Sequence, residues 1–252
     1  MNHITDQFYG LVKGKEGNFA KGFGNIFRSI LNSHIGVYCS DNLFVWERNL
    51  SFMKNKKLME SFNKNSNGKF PLEGILWRTA TIAWAAENAL NIEGDFVECG
   101  CYKGTTAKVI YDYLNFSKIK DKNYYLYDIF EYDDNFSHHK MPEHSKTLYS
   151  EVKKLFKEAN NVKVIKGKLP DSFTEGCPQK ISLLHLDLNN LDAEIDTLEI
   201  LFEKMVKGSI LILDDFGWLG YENQCKHETE WFKERGYSVL EMPTGQGIVI
   251  KR

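Results

Sequence analysis

Four segments of the chain run apolar and then reach a carboxylate: DFVEC around Glu98, YYLYD at Asp128, LLHLD at Asp187 and ILILDD at Asp214 and Asp215. Short runs of Val, Ile, Leu and Tyr of this kind predict buried strands. In a parallel sheet their carboxyl ends share one edge, which is where ligands of open α/β folds sit. A single acid at a strand end is ordinarily a helix cap or a turn residue. Four sets at one edge repel one another unless something positive occupies the gap, so together they point to a site. The carboxylates divide into two jobs. Glu98 and Asp128 end the first two strands, and an acid ending the second strand suits hydrogen bonding to ribose hydroxyls. Asp187, Asp214 and Asp215 offer three hard oxygen donors with no cysteine nearby, a set that fits a Mg²⁺-like ion retaining waters.

The first strand leads into GCYKGTTAKVI, where Gly100 and Gly104 flank Tyr102 and Lys103 and a helix begins at Thr105. Glycine at such a turn either permits a tight bend or lets a ligand approach the backbone. The free N–H groups at the start of the helix, at Thr105 and Thr106, favour an anionic group, and Thr105 also suits the N-cap. A nicotinamide site calls for G-x-G-x-x-G, of which the chain has only Gly100 and Gly104, and for a Tyr-x-x-x-Lys pair. Between the second strand and its helix, DDNFSHHKMPEHSK carries His138, His139 and His144. Of these His144 is the candidate base or acceptor contact. His185 alternates onto the face of Asp187, where a hydrogen-bonded core histidine is the plainer expectation.

Elements that position these residues follow from the pattern. After Gly94, strands and helices alternate with short connections, and YSVLEMPTGQGIVIKR closes the chain as two strands around a glycine turn. This predicts an α/β fold with a doubly wound, mostly parallel sheet and an antiparallel hairpin at its C-terminal end. Upstream, LEGILWRTATIAWAAENAL is a long Ala-rich helix and NLSFMKNKKLMESFNKN a second helical stretch. The first 40 residues, rich in Gly, Asn and Lys, read as a loosely ordered arm with at most one short helix, IFRSILNSH. The expected organisation is a helical N-terminal extension over 1–70, acting as a lid or dimer contact, and a main domain over 71–252.

GDFVECGCYKGTTA, YLYDIFE, LHLDLN and LILDDFGWLGY, in this order, resemble the macrocin-type O-methyltransferases of macrolide, aminocoumarin and polysaccharide biosynthesis. The ending PTGQGIVIK is similar to bacterial relatives of that family, and the resemblance covers roughly residues 70 to 252. It implies a class I, Rossmann-like enzyme that uses S-adenosylmethionine and a divalent metal such as Mg²⁺. By position it implies that Glu98, Gly100, Tyr102 and Gly104 line the methionine end of the cofactor, with Thr105 and Thr106 beside them. Asp128 would hold the ribose and Gly167 would border the adenine. Asp187, Asp214 and Asp215 match the metal-ligand positions. The acceptor it implies is a hydroxyl of a small molecule, a sugar or glycoside, because vicinal hydroxyls suit chelation. The competing readings are a nicotinamide-dependent oxidoreductase and a non-catalytic binding module on the same fold.

Composition narrows the partners. With 252 residues and a formal net charge of −2, the chain has neither a basic field for nucleic acid nor a polybasic membrane anchor. No apolar stretch approaches the roughly 18 residues of a membrane span, and the start lacks a signal-peptide pattern. Five cysteines without a CxxC pair fit reduced thiols in a cytoplasmic protein. The aromatic-rich stretch from Phe44 to Phe62 packs either on a partner copy, as in a homo-oligomer, or on its own domain.

Overall fold

A computed structural model of the chain describes residues 2–5, 7–30, 36–66, 72–132 and 141–252. The chain divides into two compact units, Met1–Trp77 and Arg78–Arg252. In the first, β1 (Asn2–Ile4), β2 (Val37–Ser40) and β3 (Leu43–Trp46) form a three-stranded sheet, with β1 parallel and β3 antiparallel to β2. Between β1 and β2 lies a 15-residue helix, α1 (Glu16–Ile30). This corrects the expectation of a loosely ordered arm. Phe19, Phe23 and Phe27 recur every fourth residue, and the rings of Phe23 and Phe27 lie 5.3 and 5.8 Å from Phe44 of β3. The glycines that obscured this period stand off the contact: Gly17 and Gly22 have open space where a side chain would be. Helix α2 (Lys56–Ser66) buries Leu58 and Phe62, as the spacing predicts.

Helix α3 (Leu76–Ala89) carries the chain into the second unit. There the expected alternation follows: β4 (Asp95–Cys99), α4 (Thr105–Leu114), β5 (Tyr124–Asp128), α5 (Leu148–Leu155), β6 (Val162–Lys166), β7 (Ile181–Leu186), α6 (Leu191–Lys204), β8 (Met205–Leu213) and α7 (Glu222–Glu234). β9 (Leu240–Glu241) and β10 (Gly247–Ile250) close the chain. The seven strands are ordered β6-β5-β4-β7-β8-β10-β9; β10 runs antiparallel to β8 and β9, and the other pairings are parallel. β5 and β7 are buried along their whole length, as expected of strands covered by helices on both faces. The core beneath them is built from Val97, Leu184, Leu186, Leu211, Leu213 and Phe202.

Topology places the four carboxylate-bearing strands β5, β4, β7 and β8 side by side at the centre of the sheet. Register then sets Glu98 opposite His185, and His185 opposite Ile212. Among the described residues no helix is long and apolar enough to cross a membrane.

Candidate active site

β4 ends at Cys99, and Gly100 turns the chain with φ +90°. A Cβ at Gly100 would stand 1.8 Å from the carbonyl oxygen of Asp187, so this glycine is dictated by the close passage of the chain leaving β7. Gly104, at φ +67°, packs likewise: a Cβ there would meet Val152 at 3.0 Å and Phe156 at 3.1 Å. Contacts within the fold therefore account for both glycines. Gly104 is also the N-cap of α4, the position Thr105 was expected to fill, and no side chain caps the helix. Thr105 and Thr106 form its first turn, whose N–H groups carry the positive end of the helix dipole.

Asp128 organises the turn from below. Its Oδ2 accepts the Tyr102 N–H and its Oδ1 the Phe130 N–H, each at 2.6 Å. Tyr102 and Phe130 both sit at positive φ, 46° and 59°, so the carboxylate holds two left-handed residues in place. Gly167, just after β6, donates its N–H to the Asp128 carbonyl at 3.0 Å. The His144 side chain is buried on this side of the site, with Nε2 3.9 Å from Asp128 Oδ1 and its ring edge-on to Tyr102 at 5.5 Å. His138 and His139 lie outside the described residues.

Across the strands runs a buried line of alternating charge. Glu98, 2 % exposed, accepts the Tyr124 hydroxyl at 3.0 Å and faces His185 Nδ1 at 3.6 Å. His185 Nε2 lies 3.4 Å from Asp214 Oδ1, which also accepts from Gln246 Nε2 at 2.8 Å. Arg78, reaching in from α3, donates to Asp214 Oδ2 at 2.9 Å and lies 3.5 Å from Asp215 Oδ1. Its guanidinium also stacks over Trp218, 5.3 Å from the ring centre. Burial alone would lower the pKa of His185, but Asp214 and Glu98 raise it well above the ordinary value. Burial would raise Asp214, yet Arg78, His185 and Gln246 hold it well below the usual carboxylate range. Asp187 goes the other way: burial and the charges of Asp214 and Asp215 push it well above that range.

Asp187 is tied into the loop that follows β7. Its Oδ1 accepts from Asn189 Nδ2 at 3.0 Å, and Asn189 in turn accepts from the Tyr221 hydroxyl. Asn189 sits at φ 54°. Arg78, Gln246, Asn189 and Tyr221 were not singled out in the sequence. Only Arg78 carried a signal, as the one charge in an otherwise apolar stretch of helix, LWRTATIAWAA. Among the described residues no group of three or more His, Cys, Asp or Glu side chains is disposed to hold a metal ion.

The sequence model of the family described as macrocin-O-methyltransferase (TylF) matches residues 79–239. No curated protein matches the chain in sequence. Among solved structures, the O-methyltransferase NovP is similar at 17 % identity and a TM-score of 0.59, over 76 % of this chain and 87 % of that one. The calicheamicin methyltransferase CalS11 is similar at 11 % identity and a TM-score of 0.54, over 79 % and 92 %. The Podospora anserina methyltransferase PaMTH1, solved with SAH, is similar at 14 % identity and a TM-score of 0.52, over 97 % and 100 %. At these identities the structures establish the fold, a class I methyltransferase sheet. They leave the nicotinamide reading without support. The Tyr-x-x-x-Lys spacing it calls for does occur, at Tyr149 and Lys153, where Lys153 Nζ lies 5.4 Å from the Tyr149 ring centre on α5.

Proposed function

The chain belongs to the macrocin-O-methyltransferase family and is an S-adenosylmethionine-dependent O-methyltransferase; on that premise we propose that it methylates a hydroxyl of a sugar or glycoside. The observation that carries the reading is the division of the sheet edge. On one side Asp128 fixes the turn from Gly100 to Gly104 beside the uncapped start of α4. On the other, Arg78 pairs with Asp214 and Asp215 at the end of β8, next to Asp187 at the end of the neighbouring β7.

The first half fits the cofactor. Asp128, at the end of β5, is the acid suited to ribose hydroxyls, the N–H groups at Thr105 and Thr106 suit a carboxylate, and Gly167 lies where the adenine would pass. Glu98, Gly100, Tyr102 and Gly104 form the wall beneath the methionine end. Bound there, the cofactor supplies a methyl group on a sulfonium, ready for in-line displacement by an oxygen. The chain's task is to hold that oxygen in line and to take its proton. Asp187, on the β7 side, is the carboxyl that burial and its acidic neighbours disfavour as an anion, which suits a place beside a cation and the acceptor oxygen. His144, beside Asp128 and Tyr102, is the candidate for taking the proton, on the cofactor side.

The divalent cation implied by the family resemblance finds hard oxygens here, and Mg²⁺ is commonly held by one or two carboxylates with waters completing the shell. Asp187 and Asp215 would hold it. Asp214 would not, since Arg78, Gln246 and His185 engage both of its oxygens. We place the enzyme in the cytoplasm, where its five free thiols stay reduced. The test is product identification by mass spectrometry, with S-adenosylmethionine and a panel of nucleotide sugars and glycosides, each with Mg²⁺ and with chelator. A methylated sugar hydroxyl is expected. Methylation confined to phenolic or carboxylate acceptors would sink the sugar reading, and full turnover in chelator would remove the cation from it.

A further inference from the structure

Two buried acids behind the Asp187 loop have no role in the scheme above. Glu194, in the first turn of α6, is 2 % exposed, and Glu228, in the middle of α7, is fully buried. Their carboxyl groups lie within hydrogen-bonding reach of each other. Glu194 Oε1 accepts the Leu188 N–H at 3.0 Å, and Glu228 Oε1 accepts from Gln224 Nε2 at 3.5 Å. The remaining oxygen of each, Oε2, is buried and meets no donor. Neither acid forms an ion pair with any Lys, Arg or His among the described residues. The ionisable groups around them are Cys99 of β4, Asp215 after β8, and Tyr221 and Cys225 at the start of α7, none of which is positive.

Two ionised carboxylates cannot share such a place. Like charges in contact disfavour double ionisation, and a buried charge without a partner is costly. One proton between the two Oε2 atoms resolves both problems, since it turns two orphaned acceptors into a donor and an acceptor. The other oxygens say which acid carries it. With Glu194 protonated on Oε2, its carbonyl Oε1 is the natural acceptor for Leu188 N–H, while Glu228 receives the proton's hydrogen bond and the Gln224 amide together. Burial raises both carboxyl groups, Glu194 well above the usual range and Glu228 to about 7, where the hydrogen bond from Glu194 holds it lower, in keeping with this assignment.

We propose that Glu194 and Glu228 share one proton, carried by Glu194, and that this neutral-to-anionic bridge is the positioning element for the loop 187–190. Glu194 holds Leu188 directly. It thereby fixes the backbone between Asp187, at the acceptor side of the site, and Asn189, which hydrogen-bonds Asp187 and accepts from Tyr221. The bridge ties α6 to α7 behind that loop. Glu194 and Glu228 are positioning residues: they touch neither cofactor nor acceptor. The role in catalysis rests on the reading of Asp187 given above; the shared proton and the loop contact do not.

The test needs no acceptor. Glu194→Gln reproduces the protonated acid, with an amide oxygen for Leu188 and an N–H for Glu228, whereas Glu194→Ala removes both. Hydrogen exchange of the segment 187–190 is measured at pH 7 in full-length wild type and both variants, with binding of S-adenosylhomocysteine as the control for folding. Protection in E194Q is expected to match wild type, and E194A to exchange about tenfold faster or more in that segment alone, the loss set by one backbone hydrogen bond. If E194A does not fold, Glu194→Asp, one methylene shorter, takes its place. Infrared difference spectra of wild type against E194Q supply the second readout: a protonated carboxyl band present in wild type at pH 7 and missing in the variant. Absence of that band overturns the shared proton. E194A exchanging like wild type, or E194Q failing to protect the loop, overturns the positioning role. Because none of these readouts is turnover, a wrong assignment of the acceptor leaves them intact.

Discussion

Replacing Arg78 by Met tests the charge arrangement of the site directly, because Met keeps an unbranched apolar stem against Trp218 and removes only the guanidinium. Arg78 is 11 % exposed at its side chain, and its partners Asp214 and Asp215 are 10 % and 15 % exposed, so the ion pair is a buried one. Removing one partner of a buried pair costs about 3–5 kcal/mol, because the other charge is left without compensation. Here Asp214 retains His185 and Gln246, which puts R78M near the low end, about 3 kcal/mol. At roughly 2–4 °C per kcal/mol for a domain of this size, the melting temperature should fall by about 6–12 °C. The effect has a sign in pH. Arg78 is the strongest influence holding the Asp214 carboxyl below its usual value, so its contribution is fully present above the unfolded value of about 3.9 and is lost as pH falls through the folded one. Wild type and R78M should therefore differ by the full amount from neutral pH down to about pH 4 and converge only as the pH falls below it. Thermal and urea unfolding across that range measure both quantities. A difference below about 1 kcal/mol at neutral pH, the size expected of an exposed pair, would refute the buried-counterion argument.

Two further outcomes follow from the cofactor side. Asp128→Asn should weaken binding of S-adenosylhomocysteine by about 1.5–3 kcal/mol, the worth of a hydrogen bond to a charged acceptor. The same change should destabilise the turn, since one of its two backbone contacts then faces an amide nitrogen; calorimetry showing unchanged affinity in a folded variant would remove Asp128 from the ribose site. Gly100→Ala should be severely destabilising whether or not cofactor is present, because its methyl group would fall 1.8 Å from the Asp187 carbonyl oxygen. A soluble G100A with normal unfolding and impaired cofactor binding would show instead that the glycine serves the ligand.

Much of the second unit was legible in the sequence because its central strands are buried on both faces and its helices on one. The apolar runs 95–99, 124–128 and 181–186 are strands within a residue or two of where their composition puts them. The first unit was less legible for a physical reason. Helix α1 buries its phenylalanines against a three-stranded sheet whose strands are three or four residues long. Such short strands carry no period of their own. A helix containing Gly17, Gly22 and Gly24 has a low intrinsic propensity, and only tertiary contact with Phe44 makes it form.

At the site, what the sequence displayed was charge of one sign. Carboxylates at strand ends are visible because they interrupt apolar runs, and topology alone brings them together. Their partners come from elements whose pattern gives them no emphasis: Arg78 from a helix before the first strand of the main sheet, and Gln246 from the closing hairpin. Clustered acids demand something positive, and the chain answers part of that demand itself. Asp214 is neutralised in place by Arg78 and His185, and so becomes the anchor of the arrangement. Asp187 is left as the carboxyl that its own neighbours disfavour as an anion. This asymmetry between acids that look alike in the sequence puts the carboxyl least suited to stand as a lone anion at the end of β7, beside the glycine turn that Gly100 presses against it.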